Sequence, residues 1–516
     1  MQRYDVLIAG GGPTGLVLAL WLARFGVRFR IIDKASEPGT TSRAIGVQAR
    51  TLELYRELGL ADEIVERGLR FGTANLWVRG RPVAKVPFGD LGTGISRYPY
   101  MLMFPQDEHE RFLIDRLAEL GVTVERPVEL VSFEEHADGI VAKLKRSDGG
   151  SETCEAGYLA GCDGARSAAR EVLKSGFPGG TYGRMFYVAD TVGTGPVMNK
   201  ELHVALDDAE FLAVFPMAGE GHARLIGTVK ESSVSAQRPL EWADVSDVVL
   251  RRLKIEITRI NWFSTYHVHH RVAARFRAGR AFLLGDAAHI HSPVGAQGLN
   301  TGLGDAVNLA WKLAAVCQQR GPARLLDTYE PERIAFANRL VATTDQAFKL
   351  VTSEGAFARW VRASVVPFVM PRLFAHESIR RFMFRTISQT AIEYRQSALS
   401  SGAAGGVRAG DRLPWVKLTE NGEDDNFAPL RALDWQVHVY GDASPELSSF
   451  CKTRDLALQV VPWRDTMIRA GLAQNALYLL RPDGYVGYAD ERADVGELSK
   501  YAEAWVLRTR RANANV

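Results

Sequence analysis

The sequence predicts an α/β protein of several domains, and three observations carry that prediction. A short apolar strand, a glycine-rich turn and an apolar helix follow one another within the first 33 residues. Runs of β-like alternation separate helical segments between about residues 71 and 272. A small-residue stretch at 400–406, which we expect to be a linker, precedes a last segment with strands of its own. The 516 residues suffice for roughly three to four domains, each with its own core.

Composition excludes several classes of protein. The 63 Lys and Arg residues nearly balance the 60 Asp and Glu residues, so no basic excess predicts nucleic-acid binding. The longest apolar run near the N-terminus, residues 16–23, is shorter than the ~20 residues that span a bilayer. The 4 cysteines show no CxxC spacing, which is typical of a reducing compartment. We therefore expect a soluble cytoplasmic protein without nucleic-acid or membrane partners.

The first elements along the chain form a βαβ unit. Residues 4–9 are predicted to be a buried strand, because they are short, apolar and followed by three glycines. An apolar helix is predicted at 14–25 and a second strand at 27–32, which ends at Asp33. This order is the first half of a dinucleotide-binding fold.

The later elements are predicted by the same reasoning. Helical periodicity marks residues 50–58 and 108–120, and a glycine follows each segment where a C-terminal cap belongs. Ser147-Asp148-Gly149-Gly150 predicts a hairpin turn. The other predicted strands are 128–131, 140–144, 152–160, 266–272, 281–284, 435–440, 456–461 and 476–480, with β-like alternation over 185–229. The other predicted helices are 302–316 and parts of 330–400.

The first chemical signal is Gly10-Gly11-Gly12-Pro13-Thr14-Gly15, a G-x-G-x-x-G segment between a strand and a helix. Its glycines let the main chain turn tightly and approach a pyrophosphate, whose charge then lies at the helix N-terminus. Asp33 ends the second strand, where it can accept a hydrogen bond from a ribose hydroxyl. Such a segment serves both NAD and FAD, so the choice between them must come from elsewhere.

Two further motifs place polar residues at the ends of strands. Asp163-Gly164 follows a predicted strand and precedes a helix that begins near Ser167. Gly285-Asp286 lies at the carboxyl end of another predicted strand. Ligands collect at the carboxyl ends of strands in α/β sheets, so we expect both motifs to face the same ligand.

In this order and at these separations, the three motifs resemble those of the single-component, class A flavin monooxygenases. These are the aromatic hydroxylases that include para-hydroxybenzoate hydroxylase. The resemblance covers about residues 4–345 and implies a Rossmann-like FAD-binding domain with an inserted β-sheet substrate domain. It implies that the glycine-rich loop holds the ADP part of FAD. It also implies that Asp163-Gly164 serves both FAD and the nicotinamide nucleotide, and that Gly285-Asp286 holds the ribityl chain.

Shorter segments resemble the parts of this family that surround the flavin ring. The family places an arginine such as Arg43 near the mobile ring and a residue such as Gln106 beside the flavin. A helix N-terminus there stabilises negative charge on the reduced ring. The FAD-binding residues that the resemblance implies are Gly10, Gly12, Pro13, Thr14, Gly15, Asp33, Lys34, Arg43, Gln106, Asp163, Gly164, Gly285, Asp286, Pro293, Gly298, Leu299 and Asn300.

The last segment resembles the thioredoxin-like domain of the phenol hydroxylase branch, which includes pentachlorophenol and polyketide hydroxylases. Residues 410–414 and 480–488 carry this resemblance, with Tyr488 where the branch often has Trp. Thioredoxin chemistry needs two nearby thiols, and Cys451 is alone, so we expect a structural domain. The predicted boundaries are 1–72, 105–184 and 265–345 for the FAD-binding domain, 73–104 and 185–264 for the substrate sheet, 346–400 for a helical region and 408–516 for the thioredoxin-like domain.

The resemblance implies an FAD-dependent monooxygenase that uses NAD(P)H and O2. Through a flavin C4a-hydroperoxide it would hydroxylate a phenolic or polycyclic aromatic substrate. A phenol with a pKa of ~10 needs a base or a dipole to ionise at neutral pH. His203, in the predicted sheet over the flavin, is the candidate phenol-proton acceptor. Phe211 and Phe215 are candidates to line the aromatic pocket, and core packing of the strand is the alternative for all three.

Other interpretations of the sequence stay open. A Baeyer-Villiger or epoxidising enzyme acting on a polyketide-like substrate, or a non-catalytic flavin-binding protein, would carry the same motifs. Asp286, His289 and His291 could be taken for iron ligands, but their spacing is local and Asp286 has a flavin role by resemblance, so we predict no metal site. The sequence does not determine the substrate, the choice between NADH and NADPH, or the choice between monomer and homodimer.

Overall fold

The computed structural model describes residues 3–40, 44–89, 91–206, 211–229, 240–292, 294–352, 366–419 and 424–505. Its α-helices are α1 (Pro13–Phe25), α2 (Ala49–Glu57), α3 (Ala61–Arg67), α4 (Gln106–Glu119), α5 (Ala168–Val172), α6 (Val248–Arg252), α7 (Gly298–Cys317), α8 (Tyr329–Thr352), α9 (Val366–Ala375), α10 (Glu377–Ile387), α11 (Pro445–Thr453), α12 (Asp465–Arg469) and α13 (Val495–Ala504).

The strands fall into four sheets. In chain order they are β1 (Tyr4–Ala9), β2 (Phe29–Ile32), β3 (Gly46–Val47), β4 (Leu69–Phe71), β5 (Thr73–Val78), β6 (Arg81–Pro87), β7 (Met101–Met103), β8 (Val128–His136), β9 (Gly139–Arg146), β10 (Ser151–Gly161), β11 (Gly179–Thr194), β12 (Leu202–Leu206), β13 (Phe211–Pro216), β14 (His222–Thr228), β15 (Glu256–Val272), β16 (Arg277–Ala278), β17 (Ala281–Leu283), β18 (His289–Ile290), β19 (Ser401–Ala404), β20 (Val407–Arg408), β21 (Gln436–Tyr440), β22 (Ala457–Val461), β23 (Leu477–Leu480) and β24 (Val486–Asp490).

The first sheet brings the carboxyl ends of three parallel strands to one edge. Its order is β16-β17-β10-β1-β2, and the β8-β9 hairpin adds to it through β10. The register pairs Ala9 with Gly161 and Gly161 with Leu283, so the three strands end side by side. Because a glycine-rich or Gly-Asp turn follows each of these ends, the sheet collects the sequence motifs at a single edge.

Helix α1 lies in the interior of this part of the protein. Its residues 15–22 are all buried, and it packs against α7 and α4. A helix that is apolar on every side must be covered on every side, which explains the unbroken hydrophobic run in the sequence. Gly26 ends the helix with φ of 72°, the left-handed conformation that glycine adopts without strain.

A second, largely antiparallel sheet lies beside the first. Its order is β18-β15-β11-β14-β13-β12-β5-β6, so β5 and β6 come from an early part of the chain and the rest from a later part. One face packs on a small sheet of order β3-β7-β4, through a cluster that includes Phe215, Ile45 and Met103. The opposite face packs on residues around α6, including Val249 and Leu250. The two faces of this sheet therefore have different neighbours.

The C-terminal part forms a sheet of order β20-β19-β24-β23-β21-β22. Together the four sheets confirm the predicted α/β fold class. The linker predicted at 400–406 is wrong: residues 401–404 form β19, which pairs in parallel with β24 and matches Ser401 to Tyr488. Small residues allow this close pairing, since a Cβ on Gly402 would lie 2.1 Å from the Ala489 carbonyl oxygen. The long helix predicted at 302–316 begins four residues earlier, at Gly298.

Candidate active site

Tight glycine contacts join the first two motifs. Gly10 has φ of 110°, and a Cβ there would lie 2.2 Å from the Cys162 carbonyl oxygen. A Cβ on Gly15 would lie 2.0 Å from the Gly10 carbonyl oxygen. Distances under 3.0 Å to main-chain atoms leave no room for a side chain. These two glycines therefore let the loop after β1 pass close to the end of β10, just before Asp163.

Gly12 differs from its neighbours because a Cβ there would meet nothing within 4 Å. Gly12 is the N-cap of α1, Pro13 is at the first position of the helix, and no side chain caps the helix start. The first turn also holds no acidic residue. The unpaired N–H groups and the positive end of the helix dipole therefore face open space, which suits a pyrophosphate.

Asp33 braces the glycine-rich loop. Its Oδ2 accepts a hydrogen bond from the Gly11 N–H at 2.5 Å, and its Oδ1 accepts one from Ala35 N at 2.7 Å. Arg126 lies 3.3 Å from Oδ1 and donates to the Gly11 carbonyl oxygen at 3.0 Å. Lys34 is exposed next to this group. The predicted ribose-binding carboxylate thus lies against the loop that would hold the pyrophosphate.

The Gly285-Asp286 turn is held by a residue that sequence reasoning missed. Gly285 has φ of 57°, and its N–H donates to Asp305 Oδ2 at 2.9 Å. His289 Nε2 lies 2.7 Å from the same oxygen, and Arg333 Nε donates to Oδ1 at 2.6 Å. Burial favours a raised pKa for Asp305, but Arg333 and His289 outweigh it and hold that pKa below its usual value. Asp305 is thus a buried carboxylate that fixes the turn and leaves Asp286 exposed.

Thr14 joins the first and third motifs. A Cβ on Gly285 would lie 2.6 Å from Thr14 Oγ1, and one on Gly302 would lie 2.5 Å from it. The start of α1, the turn after β17 and the first part of α7 therefore touch. The structure brings the three sequence motifs into one site.

The side chain of Asn300 ties α7 to the segment before α2. Its Nδ2 donates to the carbonyl oxygens of Gly46 and Ala296, at 2.9 and 2.8 Å. Its Oδ1 accepts from Gln48 N at 2.9 Å and from Thr51 Oγ1 at 2.7 Å. All four hydrogen-bonding positions of the amide are filled, so the side chain has none left for a ligand. The main-chain N–H groups of Gly298, Leu299 and Asn300 remain, since α7 has no side-chain cap and no acidic residue in its first turn.

The Asp163 carboxylate is also hydrogen-bonded to residues close to it in the chain. It accepts hydrogen bonds from Ser167 Oγ and from Ala169 N, which caps the start of α5. Gly164 has φ of 79° and open space around its Cα. Gln106, at the start of α4, donates its main-chain N–H to the Ala44 carbonyl oxygen and its side-chain Nε2 to Glu110 Oε1. Arg43 and Pro293 lie outside the described residues.

Two buried polar atoms beside the α7 N-terminus lack partners among the described residues. They are His291 Nε2 and Ser292 Oγ. His291 Nδ1 lies 2.8 Å from the Ser292 carbonyl oxygen, so Nδ1 carries the proton and Nε2 presents a lone pair. Burial lowers the pKa of His291 to about 4, which keeps the ring neutral. Buried orphan groups usually have a partner, and a polar ligand at this end of α7 would supply one.

One face of the second sheet carries aromatic rings, and its Phe215 packs against the small sheet. Phe215 packs with Ile45, Phe71 and Met103, and Phe211 packs with Phe186 and Tyr266. On the same face lies a second group that sequence reasoning missed, the pair Arg224 and Asp190. Arg224 is fully buried, and its Nε and Nη2 donate to the two Asp190 oxygens at 2.6 and 2.7 Å.

The Arg224 and Asp190 pair also contacts the segment just before β3. Arg224 Nη1 donates to the Ala44 carbonyl oxygen at 2.9 Å. The Asp190 side chain keeps 18% of its surface exposed. A lone Arg and a lone Asp on separate strands carry no sequence signal. Only the β11 and β14 register, which places Asp190 opposite Arg224, brings them together.

The structure contradicts the assignment of His203 as a phenol-proton acceptor. His203 is paired with Val214, which places it on the opposite face of the sheet from Phe211 and Phe215. Trp77 Nε1 donates to His203 Nδ1 at 3.0 Å, and Asn199 Oδ1 lies 2.8 Å from Nε2. Both ring nitrogens are occupied, and burial lowers the pKa to about 4. The strand alternation alone separates His203 from Phe211 and Phe215.

The alternative metal and redox interpretations find no support in the described part of the chain. No group of three or more His, Cys, Asp or Glu side chains there is arranged to hold a metal ion. Cys451 is buried, and burial raises the pKa of its thiol to about 11. Within the same ranges no helix is both long and apolar enough to cross a membrane.

A glycine-lined loop at an unblocked helix N-terminus, a bracing carboxylate and a second open helix N-terminus define a dinucleotide-binding flavoprotein site. The chain matches the protein-family model for the FAD binding domain over residues 3–344. It is 32% identical to 6-methylpretetramide 4-monooxygenase of Streptomyces rimosus, over 97% of this chain and 93% of that protein. The chain therefore belongs to the FAD binding domain family, and it is a flavin-dependent monooxygenase of the aromatic hydroxylase class.

Solved structures agree with this fold. The OxyS anhydrotetracycline hydroxylase from Streptomyces rimosus superposes with a TM-score of 0.79 at 28% identity. The match covers 99% of this chain and 100% of that chain. The Diels-Alderase PyrE3 of pyrroindomycin biosynthesis superposes with a TM-score of 0.74 at 28% identity, over 98% and 99% of the two chains. The neighbours thus include a hydroxylase and a protein titled for a different reaction.

Proposed function

We propose that this protein hydroxylates a phenolic polycyclic substrate of the polyketide type, with NAD(P)H as reductant and O2 as the oxygen source. The observation that carries the proposal is the aromatic face of the substrate sheet, which lies over the small sheet beside the α7 N-terminus. The relative of 32% identity is named for oxidation of 6-methylpretetramide, and the structural neighbour of TM-score 0.79 is an anhydrotetracycline hydroxylase. When bound, FAD supplies the redox chemistry that transfers one oxygen atom from O2 to the ring.

We assign FAD binding to the residues around the three motifs. The N–H groups at the start of α1, next to Gly12, hold the pyrophosphate, and Asp33 accepts from the ribose. The N–H groups of Leu299 and Asn300 stabilise negative charge on the reduced ring, because they lie at the positive end of α7. The lone pair of His291 Nε2 accepts from a donor of the cofactor or of a water beside it.

We assign substrate binding to the flavin-facing side of the second sheet. Phe211 and Phe215 contact the flat faces of the substrate and exclude water from the reacting centre. Asp190, held by Arg224, accepts a hydrogen bond from a substrate hydroxyl and so fixes which ring carbon faces the flavin.

The direct test is to load the purified protein with FAD and screen hydroxylated polycyclic aromatics for stimulated NAD(P)H oxidation. We expect a product that contains one oxygen atom from isotopically labelled O2. Hydrogen peroxide release without product, for every substrate tried, would contradict the proposal. The 4 cysteines are free thiols, which supports a reducing cytoplasmic location. Size-exclusion chromatography would distinguish a monomer from a homodimer.

A second candidate is a reaction in which the flavin changes no oxidation state. The structural likeness to the Diels-Alderase PyrE3 is the observation that favours it. The two candidates differ in one measurement, anaerobic reduction by NAD(P)H. In a monooxygenase with substrate bound, NAD(P)H reduces the flavin within the turnover time and the yellow absorbance of oxidised FAD is lost. In a protein that uses FAD only as a structural cofactor, the yellow absorbance remains.

A further inference from the structure

A cavity of about 860 Å³ lies apart from the flavin site. It is formed by the loop at 93–99, by helix α10, and by the C-terminal part around α12 and residues 414–419. None of the residues assigned above to FAD or substrate lines it. Its volume falls within the ~300–1,000 Å³ that small-molecule sites occupy.

The lining of this cavity is strongly basic. Among the described residues that line it, eight are Lys or Arg and two are acidic, although the whole chain carries a formal charge of only +3. Some of the cations are neutralised locally: Arg395 pairs with Glu393 and Asp411, and Arg412 pairs with Glu53. Positive charge is therefore concentrated at the cavity, compared with the chain as a whole.

Four lining cations have no ion-pair partner among the residues that the structure describes. They are Arg385, Lys417, Arg464 and Arg469. They come from three separate segments: α10, the segment before β21, and the two ends of α12. Exposed cations usually have a carboxylate or water as partner, and four of them lining one concave space favour a ligand with more than one negative charge.

The cavity lining also contains an aromatic side chain. Val416 is buried, and the Trp415 indole beside it is half-buried. An indole can stack with a flat aromatic ring, so Trp415 adds an aromatic surface to the basic lining.

We propose that this cavity binds an aromatic organic phosphate, with the phosphates between Arg385, Arg464 and Arg469 and the ring against Trp415. The guanidinium groups match phosphate oxygens in pairs, and the indole stacks with the aromatic ring. Two sources have this chemistry: a free nucleotide, and the adenosine phosphate half of the reductant NAD(P)H.

The test is calorimetric titration of the FAD-loaded protein with ADP, so that FAD fills its own site. We expect one saturable site that weakens as salt rises, because exposed charges are screened. The double variant Arg464→Gln with Arg469→Gln should weaken ADP binding at least about tenfold. Arg431→Gln, an exposed arginine of the same C-terminal part outside the cavity, is the matched control and should leave binding unchanged.

Two smaller probes test the two halves of the proposal. Pyrophosphate lacks the ring and adenosine lacks the phosphates, so each should bind more weakly than ADP. Trp415→Leu removes the aromatic ring and should weaken ADP binding but not pyrophosphate binding. Pyrophosphate that binds as tightly as ADP would overturn the aromatic part, and ADP that binds the double arginine variant as tightly as the parent would overturn the site.

Competition separates the two sources of the ligand. If the reductant occupies the cavity, ADP raises the KM for NAD(P)H and the double variant raises it too. If the ligand is a free nucleotide, ADP binds in the calorimeter and leaves that KM unchanged. Both outcomes support an anion site, whereas the absence of ADP binding to the loaded protein overturns it.

Discussion

The carboxylate of Asp305 accepts a hydrogen bond from the main-chain N–H of Gly285 at 2.9 Å. Asp305 is in the middle of α7, and Gly285 begins the turn after β17. The contact crosses from a buried helix to the motif that the sequence assigns to the ribityl chain. The shape of this turn is therefore set by a residue 20 positions away, one that touches no predicted ligand.

Asp305→Asn should destabilise the fold and weaken FAD binding together. Asn keeps the shape of the side chain but leaves the buried Arg333 without its charge partner, which costs about 3–5 kcal/mol in comparable buried pairs. Thermal melting and FAD fluorescence titration measure the two effects. The control is Asp327→Asn, which breaks the exposed pair with Arg277 and should change stability by less than about 1 kcal/mol. Equal melting of both variants would contradict this role for Asp305.

Alanine substitutions at two glycines of one loop should affect different properties, stability at Gly15 and FAD affinity at Gly12. Gly15→Ala places a Cβ 2.0 Å from the Gly10 carbonyl oxygen, so the protein should lose at least about 1–3 kcal/mol of stability. Gly12→Ala meets no protein atom, and its φ of −79° is ordinary for alanine. That variant should fold with a near-native melting temperature and bind FAD more weakly. Native FAD affinity in Gly12→Ala would show that the pyrophosphate does not approach this position.

His203→Ala should leave the pH profile of hydroxylation unchanged. The ring lies on the sheet face that packs around α6, and both nitrogens are hydrogen-bonded there. The substitution leaves the Trp77 indole N–H without an acceptor, which costs about 1–3 kcal/mol of stability. Steady-state rates between pH 6 and 9, together with a melting curve, separate the two roles. A lost ionisation in the profile would restore His203 as the base.

Arg412→Met should release the C-terminal part from the rest of the molecule. Arg412 Nε donates to Glu53 Oε2 at 2.8 Å across that interface, and both side chains are buried. Removing one member of a buried pair costs about 3–5 kcal/mol. Limited proteolysis should then cut the chain before β21 at lower protease concentration. Arg395→Gln, which breaks an exposed pair in the same region, should resist cleavage as the parent does.

The same pair gives acid sensitivity with a definite sign. Burial favours a raised pKa for Glu53, but Arg412 and Arg50 outweigh it and hold that pKa below its usual value. A carboxylate with a lowered pKa in the folded state stabilises the fold at pH values above its ordinary pKa, which is about 4.3. That stability is lost as the pH falls through the folded pKa. The urea concentration at the unfolding midpoint should therefore decrease when the pH is lowered below about 4. The decrease should be smaller in Arg412→Met than in the parent protein.

Cys451→Ser should change neither turnover nor its response to dithiothreitol. Cys451 is a buried residue of α11, and its raised pKa of about 11 leaves almost no thiolate at neutral pH. Alkylation with iodoacetamide under native conditions should spare it. Rapid labelling, or activation by a reductant, would contradict a purely structural C-terminal domain.

The elements that the sequence predicts best are those fixed by short-range physics. The strand at 4–9, the glycine-rich turn and Asp33 lie where the pattern places them, because strand alternation and glycine geometry are local properties. The apolar run of α1 and the hairpin turn at 147–150 are of the same kind. The linker at 400–406 fails because small residues indicate both flexible chains and closely paired strands, and only pairing with β24 decides between them.

The sequence by itself determined the fold class, the three motifs and, through their resemblance, the cofactor. Only the tertiary structure decided which side chains share each face of the second sheet. The pairing of His203 with Val214 places the histidine on the face opposite Phe211 and Phe215. The pairing of Asp190 with Arg224 forms an ion pair that neither residue predicts in the sequence. The register between distant strands sets these outcomes, and a shift of one residue would exchange the two faces. The physical reason is that register depends on the packing of the whole sheet, which no single segment of sequence contains.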